Sequence, residues 1–243
     1  MNRTKIEYLD YTWNPLVGCS GMGCAVAGVC WARGQAKRRK HACHDCYDFK
    51  PHYHPERFRQ PLAVKKQSRI GVCFMGDLFD SAFGRSVHQM LFGVMAQASQ
   101  HTFICLTKQS KNMLTFVENW MSPPANVWLG VSVNCKQDLY RIEDLLATDA
   151  EVKFVSFEPL YEDLGDVNLD GVDWVIIGAQ KRPNLQPRKE WVFDLVSKAR
   201  SVGADVFLKN NLSCRRLLEY LEQFGDLQEV PEVDYELVSG GSQ

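Results

Sequence analysis

From residue 69 onward the chain alternates between short apolar runs and segments whose apolar residues recur every three or four positions. That alternation constrains the fold more than any other feature. The runs are RIGVCFM from Arg69, TFICL from Thr102, VWLGVSV from Val127, VKFVSF from Val152, DWVIIG from Asp173 and DVFL from Asp205. They are apolar at most positions rather than at every second one, which predicts strands buried on both faces, as in a parallel sheet. Helical patterns lie between several of them. Val87, Met90, Leu91, Val94 and Met95 form one apolar face after Ser86, and Met113, Leu114, Val117 and Trp120 another after Ser110. Leu139, Ile142, Leu145 and Leu146 form a third; Trp191, Val192, Leu195, Val196 and Ala199 form a fourth, stopped by Gly203. With a first strand near Trp13 to Val17, the pattern predicts an α/β chain with a partial (β/α) barrel of about 6–7 parallel strands. A complete barrel of eight units typically occupies ~250 residues. Here a basic Cys/His-rich insertion at residues 31–69 takes up part of a single domain spanning 1–243. An open doubly wound sheet is the alternative, but no glycine-rich phosphate loop follows any of the strands.

At 243 residues and 45% hydrophobic content the chain can bury a sizeable core, which excludes a disordered protein. Its N-terminus, MNRTKIEYLDY, lacks the apolar run of a secretion signal, and no stretch approaches the ~18 apolar residues of a membrane span. A soluble, cytoplasmic protein is expected. Nine cysteines in such a chain read as reduced thiols rather than a disulfide framework. Five of them fall within the first 46 residues, whereas Cys73, Cys105, Cys135 and Cys214 are scattered and read as small buried hydrophobes.

In parallel α/β folds chemistry collects at the carboxyl ends of the strands. One step past each run stand Asp77, Lys108, Asn134, Glu158, Gln180 and Lys209. Each alone is an ordinary cap or loop residue. Together they predict a polar mouth of alternating charge, with Asp77, Glu158 and Lys209 its strongest candidates.

The segment after the first strand, GCSGMGCAVAGVCWAR, holds Cys19, Cys24 and Cys30 among small residues. A tetrahedral zinc site commonly uses two close ligand pairs, whereas three thiols in one glycine-rich loop suit a cubane, with three irons held and one left open. Gly18, Gly21, Gly23 and Gly28 would let the backbone wrap such a core. On spacing alone the cluster, a zinc ion and plain loop thiols all stay open.

The ordered motifs TWNPLVGCSG, GVCWARGQAKR, CHDCYDFKPHYHPERFRQPL, GVCFMGDLFD, HTFICLTKQ, NVWLGVSVN, FVSFEPL and DWVIIGAQ cover the chain from Lys5 to about Asn210. They resemble the phage-type three-cysteine-motif family, a domain of unknown function whose members are similar to radical S-adenosylmethionine enzymes. The resemblance implies that Cys19, Cys24 and Cys30 ligate a 4Fe–4S cluster and that S-adenosylmethionine chelates its fourth iron, with Trp31 as the aromatic beside the third cysteine. It further implies reductive cleavage of the sulfonium to a 5′-deoxyadenosyl radical that abstracts hydrogen from a substrate, and hence an electron donor as partner. Glu158 and Asp77 would hold ribose hydroxyls or the methionyl amine, Lys209 or Lys108 a carboxylate or phosphate, and Asn134 and Gln180 would line the cofactor. This chain has four and five residues between its cysteines where three and two are common, and Ala179–Gln180 where many relatives carry Gly-Glu.

Residues 41–54, HACHDCYDFKPHYH, add Cys43 and Cys46 at C-x-x-C spacing beside His41, His44, His52 and His54. A zinc knuckle, an auxiliary redox site and free thiols are the readings of this stretch. His54-Pro55-Glu56 imitates the H-x-E of zinc deaminases, but the order relative to C-x-x-C is reversed.

Between Arg33 and Arg69 there are 11 Lys and Arg against three acids, a local charge of +8 in a chain of net charge −1. Arg38, Arg39, Lys40, Arg57, Lys65 and Lys66 are the candidate contacts to a polyanion, and Trp31, Tyr47, Phe49 and Tyr53 interleave as stacking platforms for unpaired bases. A solvated face with its aromatics tucked beneath is the competing reading. The expected function is a radical enzyme acting on a nucleobase or nucleotide in nucleic-acid modification or repair; the alternative is a zinc-containing nucleic-acid-binding module without redox chemistry. At the C-terminal end, Ser213 is expected to cap a short helix through Leu217, Leu218 and Leu221, followed by an acidic tail.

Overall fold

A computed structural model describes residues 1–21, 24–38, 43–212 and 222–232. The chain opens with β1 (Asn2–Arg3), which folds back antiparallel onto β2 (Tyr11–Trp13). A single first strand from Trp13 to Val17 is not what forms. β2 ends at Trp13, and β3 (Leu16–Val17) departs into a separate two-stranded sheet with β4 (His52–Tyr53). Pro15 lies at the break, where it has no N–H to give a ladder. Between β3 and β4 come α1 (Trp31–Ala36) and α2 (His44–Asp48).

The main sheet resumes with β5 (Arg69–Val72), followed by α3 (Arg85–Gln97), β6 (Thr102–Thr107), α4 (Ser110–Trp120), β7 (Val127–Ser132), α5 (Tyr140–Leu146), β8 (Lys153–Phe157), β9 (Trp174–Ile177), α6 (Lys189–Ser201) and β10 (Asp205–Leu208). Its order is β1-β2-β5-β6-β7-β8-β9-β10, and every pair except β1 with β2 is parallel. The fold is thus mixed α/β on a mostly parallel eight-stranded sheet. The Cys/His-rich segment lies between β2 and β5, the first two parallel strands.

Alternating side chains cover the two sheet faces. Val72, Phe103, Leu129, Val155, Val175 and Val206 share one core with apolar residues of α3, α4, α5 and α6. Ile104, Trp128, Phe154, Trp174, Ile176 and Phe207 share another with Tyr8 and Leu9. Burial on both faces is why the strands carry so few polar residues. Six strand spacings of about 4.8 Å would put β10 about 29 Å from β2 in a flat sheet. Yet the ring of Tyr8, three residues before β2, packs edge-on against Phe207 of β10 at 5.4 Å and Trp174 of β9 at 5.2 Å. The sheet is therefore curled around this inner core. Gly130 permits the fit, because a Cβ there would lie 2.4 Å from the Phe154 ring.

The helices follow their apolar patterns with local exceptions. In α3 the core positions are Leu91, Phe92, Val94 and Met95, and Met90 faces solvent; in α4 Phe116 joins Met113 and Val117, while Trp120 stays exposed. Ser86 and Ser110 are not caps. α3 starts at Arg85, and Ser110 is the first residue of α4, its hydroxyl donating to Asp144 at 2.6 Å. Gly203, at φ +78°, follows α6 in the left-handed conformation that ends a helix. Cys73 and Cys105 are buried as expected, whereas Cys135 is half-buried; Cys214 and the expected cap and helix at Ser213 to Leu221 lie outside the described residues. No helix among the described residues is long and apolar enough to cross a membrane.

Candidate functional site

Polar side chains stand at the carboxyl ends of the parallel strands, and several of them meet in pairs. Lys209, only 9% exposed, bridges Glu158 at 3.0 Å and Glu7 at 3.7 Å, with its ammonium 5.8 Å from the ring centre of Tyr8. Asn211 donates to the Ala179 carbonyl at 2.6 Å and to Glu158 at 3.4 Å. Lys108 donates to Ser132 at 3.1 Å. Gln180 accepts from the Tyr161 hydroxyl. Asn134 is fully buried; its amide donates to the Pro159 carbonyl at 2.8 Å and its Oδ1 has no partner. The backbone around it is pinned by Asp138, which accepts from the Asn134 N–H at 2.9 Å and faces Arg141 at 2.8 Å, while Arg141 donates to the Ser132 carbonyl at 2.7 Å.

Asp77 differs from Glu158 and Lys209. Its carboxylate is buried and accepts from Thr107 at 2.5 Å, from the Lys108 N–H at 2.9 Å and from the Phe79 N–H at 3.1 Å. Burial nevertheless pushes its carboxyl up. Asp77 thus joins the ends of β5 and β6 to each other. Glu7, Tyr8, Asn211 and Tyr161 belong to the same mouth but were not among the strand-exit residues. Glu7 and Tyr8 precede β2, where no strand-exit rule can find them.

The loop bearing Cys19, Cys24 and Cys30 starts beside the exit of β5. Gly18 bridges Gly76, just past β5, its N–H donating to Met75 at 3.0 Å. Ser20 gives both its N–H and its hydroxyl to Asp80 at 2.7 Å. Farther along, the Cys24 sulfur is near enough to raise the Tyr161 phenol, after burial as the main cause. The loop is thus fixed at the exit of β5, and Cys24 lies within electrostatic range of Tyr161, four residues past β8. Cys19, Cys30 and Met75 pack against a small core of Ala32, Ala36 and Phe49. The Cys19 thiol is pushed up to about 12, first by burial, then by the Asp77 and Asp80 carboxylates and Cys24, against the lowering hydrogen bond from the Gly21 N–H. A cationic centre held there would reverse that preference for the protonated thiol.

Cys43, Cys46, His52 and His54 form a second arrangement, their ligand atoms all within 4.8 Å of one another. Among the described residues no other three or more Cys, His, Asp or Glu ligand atoms approach so closely. This group can hold a metal ion. His52 Nε2 lies 3.6 Å from the Cys43 sulfur, 3.3 Å from that of Cys46 and 3.0 Å from His54 Nε2, which is 3.2 Å from Cys46. The far ring nitrogens are held too: His52 Nδ1 lies 2.8 Å from the Lys50 carbonyl and His54 Nδ1 2.9 Å from Glu56. Such outer partners fix the orientation of metal-binding imidazoles. Burial and the neighbouring Cys43 thiol push Cys46 up to about 11. β4 explains the choice of histidines, since residues two apart along a strand share a face. His44 instead faces Asp45 and Asp48, and His41 lies outside the described residues.

The profile of the family described as "Protein of unknown function (DUF5131)" matches residues 3–216. The chain belongs to that family. No curated protein and no solved structure matches it. The family match spans the curled sheet, the three-cysteine loop and the metal-ligating group alike.

Of the expected polyanion contacts, Arg38, Lys65 and Lys66 are exposed, and Arg39 and Lys40 lie outside the described residues. Arg57 is half-buried, donating to the Asn14 carbonyl at 3.2 Å and pairing with Glu56 at 3.5 Å. Trp31, Tyr47 and Tyr53 are exposed. Phe49 is not a stacking platform: it is buried under the Arg33 guanidinium, 5.6 Å from its ring centre. As the residue that closes α2, at φ 58°, it turns inward onto Cys19 and Cys30.

Proposed function

We propose that this chain is a radical S-adenosylmethionine iron–sulfur enzyme on a partial (β/α) barrel, generating a 5′-deoxyadenosyl radical and acting on a nucleobase or nucleotide in nucleic-acid modification or repair. The observation that carries the reading is the anchoring of the three-cysteine loop at the carboxyl end of β5, through Gly18 on Gly76 and Ser20 on Asp80. The curl of the sheet supports the partial barrel. The donor set fits the group: three half-buried free thiols from one loop, while at the exit of β7 a buried Asn134 oxygen has no partner. A 4Fe–4S cluster with S-adenosylmethionine supplies, when bound, reductive cleavage of a carbon–sulfur bond and hydrogen abstraction. Cys19, Cys24 and Cys30 hold the cluster. Lys209 meets a carboxylate, Glu158 accepts from an amine or ribose hydroxyls, Asn134 and Gln180 orient the nucleoside, and Trp31 shields the third cysteine. An electron donor is the partner this chemistry needs, and free thiols suit the reducing cytoplasm.

Zinc is our reading of the metal at Cys43, Cys46, His52 and His54. Zinc–sulfur bonds of about 2.3 Å and zinc–nitrogen bonds of about 2.05 Å at tetrahedral angles set sulfur–nitrogen separations near about 3.6 Å and nitrogen–nitrogen separations near about 3.3 Å. The separations here are 3.2–3.6 Å and 3.0 Å. That group, lying in the basic segment, favours the second reading: a zinc-containing nucleic-acid-binding module without redox chemistry.

Anaerobic reconstitution separates the two. The radical reading expects a brown protein with about four irons per chain, lost in Cys19→Ala and Cys30→Ala, that forms 5′-deoxyadenosine from S-adenosylmethionine and dithionite. A colourless protein holding only zinc overturns it.

A further inference from the structure

The segment from Cys43 to Arg57 buries one residue, Phe49, and its helix α2 is five residues long. Neither a core nor an isolated helix of that length can order such a stretch, so another source of stability has to act. Its four metal-ligating side chains supply every corner of a tetrahedron, a closed arrangement with no open position for a substrate or water. This segment is also tied to the three-cysteine loop at three points. β4 pairs with β3, His52 opposite Val17 and Tyr53 opposite Leu16, and the His54 N–H donates to the Pro15 carbonyl at 2.7 Å. The Lys50 carbonyl, 2.8 Å from His52 Nδ1, presses on Gly18: a Cβ on Gly18 would sit 2.1 Å from that oxygen, and Gly18 itself is at φ +82°. Phe49, at the end of the helix that carries Cys46, belongs with Ala32 and Ala36 to the small core on which Cys19 and Cys30 pack.

We infer that Cys43, Cys46, His52 and His54 form a closed structural zinc site that positions Cys19 and Cys30, through Lys50 and Phe49, for the chemistry of the mouth. The inference rests on the zinc assignment but not on the radical reaction. Cys24 touches neither Lys50 nor Phe49 in the described contacts: its backbone bonds stay within the loop, to Gly21 and Ala27, and its sulfur lies near Cys19 and Tyr161. Metal loss therefore has a residue-specific signature.

The test uses the full chain, free of iron and under nitrogen, with one equivalent of zinc or after chelation. Zinc content is measured by mass spectrometry, and iodoacetamide alkylation of each cysteine is timed by peptide mapping. One zinc per chain is expected. Chelation is expected to speed alkylation of Cys19 and Cys30 by about tenfold or more, and that of Cys24 and Cys135 by less than about twofold, the mark of local rather than global opening. Gly18→Ala separates the link from the metal: it is expected to keep its zinc while Cys19 reacts as fast as in the chelated protein. Zinc binding with unchanged rates at Cys19 and Cys30 overturns the coupling. So does a uniform rise that includes buried Cys73 and Cys105. No zinc bound overturns the metal assignment, and none of these results bears on 5′-deoxyadenosine formation.

Discussion

Asp138→Leu strips a buried guanidinium of the carboxylate that faces it. Arg141 is 1% exposed and Asp138 5%, with 2.8 Å between their charged atoms. Breaking such a pair from one side costs about 3–5 kcal/mol, because the remaining charge stays in a poorly solvated site. Asp138 also accepts from the Asn134 N–H at 2.9 Å, and an unmet buried donor costs about 1–3 kcal/mol more. The variant should lose about 4–8 kcal/mol in all, lowering the melting temperature by roughly 10–30 °C for a domain of this size. Denaturant unfolding of Asp138→Leu, Arg141→Met and the double variant measures it. Removing both charges leaves two apolar side chains of similar volume, so the double variant should recover most of the loss. A single-variant loss below about 1 kcal/mol, or a double variant no better than the singles, refutes the argument that this pair holds the exit of β7.

Three further outcomes are expected. His88 is buried, its Nε2 2.7 Å from the Leu78 carbonyl, and burial lowers its pKa below the ordinary value. The unfolded chain therefore takes up this proton first, so stability is full above about pH 6.5 and falls as the pH drops below it. His88→Gln should flatten the fall in melting temperature between about pH 7 and 5, and an unchanged slope removes His88 as its source. Lys209→Met leaves Glu158 and Glu7 facing each other, and should cut 5′-deoxyadenosine formation on the order of a hundredfold with iron content unchanged. Loss of iron in that variant would mark Lys209 as a support of the loop instead. Lys65→Ala/Lys66→Ala removes two exposed cations and should lower the salt dependence of single-stranded nucleic-acid binding by about two phosphate contacts. The same slope as the parent excludes these lysines from the interface.

Which stretches become strands and helices was legible because it is settled over a few residues. All six apolar runs from Arg69 to Leu208 contain strands, and four apolar periodicities became α3, α4, α5 and α6. The polar strand exits were legible for the same reason, since a parallel strand that runs out of apolar residues must leave the sheet there. The exceptions arise where distant chain competes. Phe49 reads as one more aromatic in a basic stretch until a left-handed turn after α2 folds it onto Cys19 and Cys30. The C-x-x-C pair left a zinc knuckle, a redox site and free thiols open with four histidines beside it, and only the pairing of β4 with β3 presents His52 and His54 to it rather than His44.

What the sequence determined by itself is therefore the local order of elements and the residue types that meet at the strand ends. Only the tertiary structure decided that Glu7 meets Lys209 and that Lys50 presses on Gly18. The reason is physical: backbone preference and apolar periodicity act within one or two turns of chain. Contacts between residues hundreds of positions apart, like Glu7 and Lys209, exist only once the curled sheet brings its two ends together.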